Sequence, residues 1–173
     1  MPHAEIREGL LIEIRGSHVV LRPLAEDDVP ALEAIVAQPA VAAWWGEQPP
    51  GFPLTDEPTA TRFTILDDGE VAGMVQYSEE LEPDYRHASI DIFVDADRHG
   101  RGLGSDAVRT LANHLVAERG HHRVTIDPAA DNHPAIRAYE KAGFRPVGVM
   151  RAAWRDFATG EWRDTLLMEL VVL

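Results

Sequence analysis

The chain has 173 residues, 45% of them hydrophobic and 26% charged, and its 29 acids against 16 bases leave a formal charge of −13. That length suits one domain with a real core, and the composition is too apolar for a disordered chain. The absence of cysteine excludes disulfides, thiolate metal sites, Fe–S clusters and a Cys nucleophile. The acidic balance argues against nucleic acid and suits both solubility and a cationic substrate.

Met1 to Arg7 lacks the apolar region of a signal peptide, and no run of about 20 apolar residues occurs. A cytoplasmic chain with no membrane span is the expectation. Gly9 to Arg15 and His18 to Leu24 read as extended segments hinged at Gly16-Ser17, with Val19, Leu21 and Pro23 on one face. Asp27 or Asp28 is placed to cap a helix from Val29 to about Gln38, in which Pro30 is tolerated in the first turn. Gln48 to Pro58 holds four prolines and reads as an irregular loop. Thr61 to Leu66 and Val71 to Ser78 form a hairpin over Asp67-Asp68-Gly69-Glu70, followed by an acidic turn from Glu79 to Asp84. His87 to Val94 alternates as a strand, with Ile90, Ile92 and Val94 on one face and Ser89, Asp91 and Phe93 on the other.

A glycine-rich segment, His99-Gly100-Arg101-Gly102-Leu103-Gly104-Ser105, follows that strand and opens a helix to about Arg119, closed by Gly120. His122 to Asp127 is a short strand, and Asn132 to Ala142 a helix closed by Gly143. Phe144 to Met150 and Trp162 to Val172 are strands around a long turn containing Thr159-Gly160. The order gives one domain over residues 1–173, with a core of about 18–172. Its class is α+β or mixed α/β.

Glycines let a backbone approach a ligand closely, and free N–H groups at a helix N-terminus bind phosphate. Arg98 and Arg101 add charge for a diphosphate. A Walker A loop fails here for want of a lysine. Gly102 to Ala107 fits a dinucleotide fingerprint, with Asp127 further on. Seven residues separate Val94 from Gly102, however, and the upstream segments are hairpins rather than parallel strands. In the second segment, Asn132 to Phe144, a capped amphipathic helix ending at glycine accounts for the residues without a function.

Taken together the two segments are specific. Gly100-Arg101-Gly102-Leu103-Gly104-Ser105, followed by Asn132-x-x-Ala135-Ile136-x-x-Tyr139-Glu140-Lys141-x-Gly143-Phe144, resembles the GNAT family of acetyl-CoA-dependent N-acetyltransferases. The family's usual Arg or Gln ahead of the loop's first motif glycine is His99 here. Trp44-Trp45-Gly46-Glu47, Ile90-Asp91 and Asp127-Pro128 narrow the resemblance to aminoglycoside 6′-N-acetyltransferases, with hydroxamate-siderophore acyltransferases close in pattern. The resemblance implies a central, mostly antiparallel sheet flanked by helices and splayed into an acetyl-CoA cleft. Homodimerisation, common in that family, is compatible with the sequence.

Acetyl transfer to an amine needs a neutral amine, a polarised carbonyl and a proton for the departing thiolate. Asp91 suits the base, the role that the resemblance also implies. Backbone N–H groups around Phe93 and Val94 would stabilise the carbonyl oxygen, and Tyr139 is the natural donor to the thiolate. The resemblance gives Asn132 a contact with the pantetheine arm, and residues 98–105 the phosphates. A polycationic acceptor wants carboxylates and flat surfaces: Asp91 and Asp127, with Glu47, Glu79, Glu80 or Asp156, and Trp44, Trp45 or Trp154. Adjacent tryptophans diverge on any regular element, so one of Trp44 and Trp45 belongs to the core. The eight histidines lack ligand spacing, and no metal is expected. An acyltransferase for N-hydroxylysine, an acetyltransferase for protein N-termini or polyamines, and a CoA-binding sensor are the rival readings.

Overall fold

A computed structural model describes residues 12–54 and 60–173. The readings for Met1 to Arg7, for 9–11 of the first extended segment and for 55–59 of the proline-rich loop lie outside the described residues. Strands β1 (Ile14–Arg15) and β2 (Val19–Pro23) pair antiparallel around the Gly16-Ser17 hinge. Asp106 holds that hinge, accepting the backbone N–H groups of Ser17, His18 and Val19 at 3.1, 2.7 and 3.0 Å. Burial alone would push its carboxyl up, but these donors outweigh burial and hold it below the usual carboxylate range.

Helix α1 (Val29–Val36) follows a single 3₁₀ turn at Glu26–Asp28. Asp28 stands at the N-cap position, but its side chain does not cap. It accepts the Arg22 guanidinium at 2.8 and 2.9 Å and the Thr64 hydroxyl at 2.6 Å, tying α1 to the sheet. A second helix, α2 (Pro39–Trp45), occupies the stretch ahead of the proline-rich loop, where the sequence reading places no element. Pro39 has no N–H to continue α1, yet its fixed φ suits the first turn of a new helix.

Strands β3 (Ala60–Asp67) and β4 (Glu70–Glu80) form the expected hairpin, with a tighter turn than the four residues foreseen. Asp67 pairs with Glu70, so only Asp68 and Gly69, at φ 50° and 81°, make the turn. Glu79 and Glu80 belong to β4, which shortens the acidic turn. β5 (His87–Val94) has the expected bounds. Helix α3 (Leu103–Ala117) ends with Glu118 as its C-cap, two residues before the glycine expected to close it. β6 (Arg123–Ile126) leads to α4 (His133–Lys141), where Asn132 Oδ1 accepts the Ala135 N–H at 3.3 Å as the expected cap. β7 (Arg145–Arg155) runs beyond Met150 through an irregularity at which Ala152 has φ 51°, and β8 (Trp162–Val171) completes the chain.

The eight strands form one sheet in the order β1-β2-β3-β4-β5-β6-β8-β7. Every neighbouring pair is antiparallel except β5 and β6, which share only Ala88↔Val124 and Ser89↔Thr125. Beyond Ser89 the two strands part, and the sheet opens into a cleft. Leu32, Ile35, Val36 and Val41 pack with Met74 and Phe93 on one face. Val108, Leu111 and Leu115 pack with Val75, Ile90 and Tyr139 on the other. The alternation of β4 and β5 thus buries apolar side chains on both faces, which fixes the register of the strand bordering the cleft.

Candidate active site

The cleft is a cavity of about 750 Å³ walled by β5, the N-terminus of α3, α4 and α2. Its floor is the open edge of β5. Phe93 turns its carbonyl towards β4, where a Cβ on Gly73 would stand 2.2 Å from it. Peptide groups alternate along a strand, so those of Ile92 and Val94 face the cleft side. Two contacts agree: the Trp45 indole donates to the Ile92 carbonyl at 3.0 Å, and His99 Nε2 donates to the Val94 carbonyl at 2.9 Å. Of the expected pair Phe93 and Val94, Val94 therefore presents its backbone and Phe93 does not; Ile92 takes its place. The period of two in this strand was enough to find it.

Gly100, Gly102, Gly104 and Ser105 border the cleft where α3 begins, with Gly100 and Gly102 both at φ 78°. The first-turn N–H groups of α3 lack helical partners, which makes this end of the cleft fit for phosphate. Arg98 also borders the cleft, but its guanidinium is shared among Asp67 at 2.7 Å, Glu70 at 2.6 Å and Asp95 at 3.5 Å. It holds the loop's shape. Arg101 pairs with the same Asp67 oxygen at 3.0 Å, leaves 52% of its side chain exposed and lies outside the cleft lining. Asn132 borders the cleft while capping α4.

Asp91 on β5, Asp127 beyond β6 and Tyr139 on α4 all line the same cavity. Asp127 has its carboxyl pushed up, first by its partial burial in the cleft and then by the charge of Asp91. Tyr139 is 8% exposed, and burial, reinforced by Asp91 and Asp127, raises its phenol far above the ordinary value. At neutral pH it is a donor. Gln76, opposite Asp91 on β4, donates to its Oδ2 at 3.2 Å; cross-strand register is the only signal that could have found this residue.

The sign of the Asp127 shift gives a stability prediction. Its folded-state pKa lies above the unfolded one, so the charged carboxylate disfavours the folded chain once pH exceeds the raised value. Asp127→Asn is expected to raise the thermal midpoint slightly at pH 7. The gain should shrink as pH falls through the raised pKa and vanish below the ordinary 3.8. A midpoint gain equal at pH 7 and at low pH contradicts this assignment.

The remaining expected residues separate. Trp44, 39% exposed, and Trp45 both line the cleft, and Trp45 also packs edge-on to Phe93 with centroids 4.9 Å apart. Trp154 lines the cleft, with its indole N–H buried and unpartnered among the described residues. Glu47 and Asp156 border a different cavity, of about 670 Å³, on the other side of α2. Asp156 also organises its own turn, accepting the N–H groups of Ala158 and Thr159 at 2.9 and 3.1 Å. Glu79 is not in the cleft lining: it accepts Arg119 at 2.9 and 3.1 Å and His121 at 2.7 Å. Glu80 accepts the Glu82 N–H at 2.9 Å. Among the described residues no group of three or more side chains could hold a metal, and no helix is long and apolar enough to cross a membrane.

The sequence model of the acetyltransferase (GNAT) family matches residues 22–144. The aminoglycoside N(6′)-acetyltransferase type 1 of Klebsiella pneumoniae is 28% identical over 155 residues, covering 76% of each chain. The L-amino acid N-acetyltransferase AaaT of Escherichia coli strain K12 is 28% identical over 168 residues, covering 90% of this chain and 99% of the relative. Among solved structures, Mycobacterium smegmatis RimJ in complex with CoA-disulfide shares the fold. Its TM-score is 0.80 at 23% identity, with 95% of this chain and 89% of that one covered.

Proposed function

Because the chain belongs to the acetyltransferase (GNAT) family and is an acetyl-CoA-dependent N-acetyltransferase, we propose that its acceptor is a primary amine of a polycationic small molecule, the 6′-amine of an aminoglycoside. The observation that carries this reading is the pair Asp91 and Asp127, close enough in one cavity for the charge of one to shift the other. Two carboxylates with an aromatic wall, Trp44, suit an ammonium-bearing sugar. A neutral or anionic acceptor would leave them in mutual repulsion. The aminoglycoside relative in Klebsiella adds support.

Acetyl-CoA supplies the acyl group already activated as a thioester. The first-turn N–H groups of α3, with the loop from His99 to Ser105, would hold its phosphates, and Asn132 its pantetheine arm. Asp91 takes a proton from the bound ammonium, directly or through water, so that the amine attacks as a neutral nucleophile. The backbone N–H groups on the open edge of β5 stabilise the carbonyl oxygen as it gains negative charge. As the C–S bond breaks, Tyr139 gives its proton to the departing thiolate and recovers one from the newly acylated nitrogen, which sheds its second proton to become the amide. With no cysteine in the chain to carry an acyl group, transfer is direct, within a ternary complex.

The test is release of free thiol from acetyl-CoA across an acceptor panel: kanamycin, an N-hydroxylysine, a free L-amino acid, a polyamine and a peptide with a free N-terminus. Kanamycin should give the highest kcat/KM. Turnover of the hydroxylamine, the amino acid, the polyamine or the peptide without turnover of kanamycin removes the aminoglycoside reading, and thiol release with none of them removes it as well.

A further inference from the structure

Behind Asp91 lies a directional chain of hydrogen bonds that runs back into the sheet. Gln76 Nε2 donates to Asp91 Oδ2 at 3.2 Å. The same amide uses its Oε1 to accept Arg62 Nε at 3.0 Å, and Arg62 NH1 donates to the Pro53 carbonyl at 2.6 Å. Arg62 also stands over the Phe52 ring, 5.3 Å from its centroid. The three side chains come from neighbouring strands in register: Arg62 faces Gln76, and Gln76 faces Asp91.

An isolated glutamine amide can be turned either way. This one cannot. Reversing it would set its NH₂ against the guanidinium and its oxygen against the carboxylate, two mismatched contacts in place of two matched ones. Arg62 thereby fixes the amide so that Asp91 always meets a donor, and its charge polarises that donor through the amide. We propose that Gln76, locked by Arg62, is a positioning residue that holds Asp91 ionised and in one orientation for proton acceptance. The proposal rests on the reading of Asp91 as the base.

Two groups across the cleft from Gln76 act on Asp91 in the opposite sense or carry no charge at neutral pH. Asp127, across the split between β5 and β6, repels its charge, and Tyr139 on α4 is uncharged. Gln76, held by Arg62, opposes the repulsion of Asp127. Removing Gln76 should make Asp91 harder to ionise.

The readout is the pH dependence of kcat/KM for the acceptor, measured beside the KM for acetyl-CoA, in the wild type and in Gln76→Leu, Gln76→Glu and Asp91→Asn. Gln76→Leu removes the donor and should move the acid limb up by on the order of 0.5–1 pH unit, with the loss of rate growing as pH falls towards that limb. Gln76→Glu keeps the partner for Arg62 but turns an acceptor towards Asp91, and should move that limb at least as far. The KM for acetyl-CoA and the limb set by the acceptor amine should stay in place. If both Gln76 variants lose rate equally at all pH values, or keep the wild-type profile, while Asp91→Asn is crippled, the positioning role is overturned and Asp91 remains the base. An Asp91→Asn enzyme with wild-type turnover overturns both.

Discussion

Asp91→Asn is expected to lower kcat by roughly 10²–10⁴-fold, the range associated with loss of a general base. The substitution keeps size and shape, and the Asn oxygen still accepts from Gln76, so β5 and the cleft floor should remain in place. What it removes is the proton acceptor. Among the described residues that line the cleft, the remaining carboxylate is Asp127, whose carboxyl is already pushed up and would relax downward once the Asp91 charge is gone. Acetyl-CoA binding should be unchanged, because the loop from His99 to Ser105 and the N-terminus of α3 are built from other residues. A kcat within threefold of wild type across pH 6–9 would remove Asp91 from the reaction.

Among the glycines whose surroundings are described, Gly73→Ala is expected to be the most damaging. Gly73 sits in β4 opposite Val94, and a Cβ there would lie 2.2 Å from the Phe93 carbonyl oxygen and 3.0 Å from Val94 Cα. Both neighbours are backbone, so no side chain can rotate away, and β5 must shift at the point where its open edge forms the cleft floor. The cost should be on the order of 2–4 kcal/mol, a fall in Tm of roughly 5–15 °C for a chain of this size. The KM for acetyl-CoA should rise with it. Gly69→Ala is the control: it also has positive φ, at 81°, but nothing within 4 Å. A Gly73→Ala loss no larger than that of Gly69→Ala would mean that crowding against β5 is not what this glycine avoids.

How much of this was legible in the residues follows the range of the forces involved. The glycine loop, the Asn132 cap and the bounds of β5 depend on contacts within a few positions, and they read directly. Helix α2 did not, because Pro39 ends one helix and starts another, and the pattern shows only the ending. Arg98 looked free to meet phosphate; the carboxylates that claim it, Asp67 and Glu70, lie on the β3–β4 hairpin. Glu79 looked available to a cationic substrate until the turn after α3 brought Arg119 and His121 against it. Gln76 carries no local signal at all. Its place beside Asp91 is a product of strand register, and only the folded sheet displays it.

The most direct measurement is the position of the acetyl group on kanamycin after turnover with acetyl-CoA, read by two-dimensional NMR alongside the thiol released. Expected is one acetyl on the 6′-nitrogen per thiol, in a reaction slowed at least about 10²-fold by Asp91→Asn. Acetylation of another nitrogen, or thiol release that kanamycin does not stimulate, would contradict a site in which Asp91 and Asp127 hold the 6′-ammonium for direct transfer.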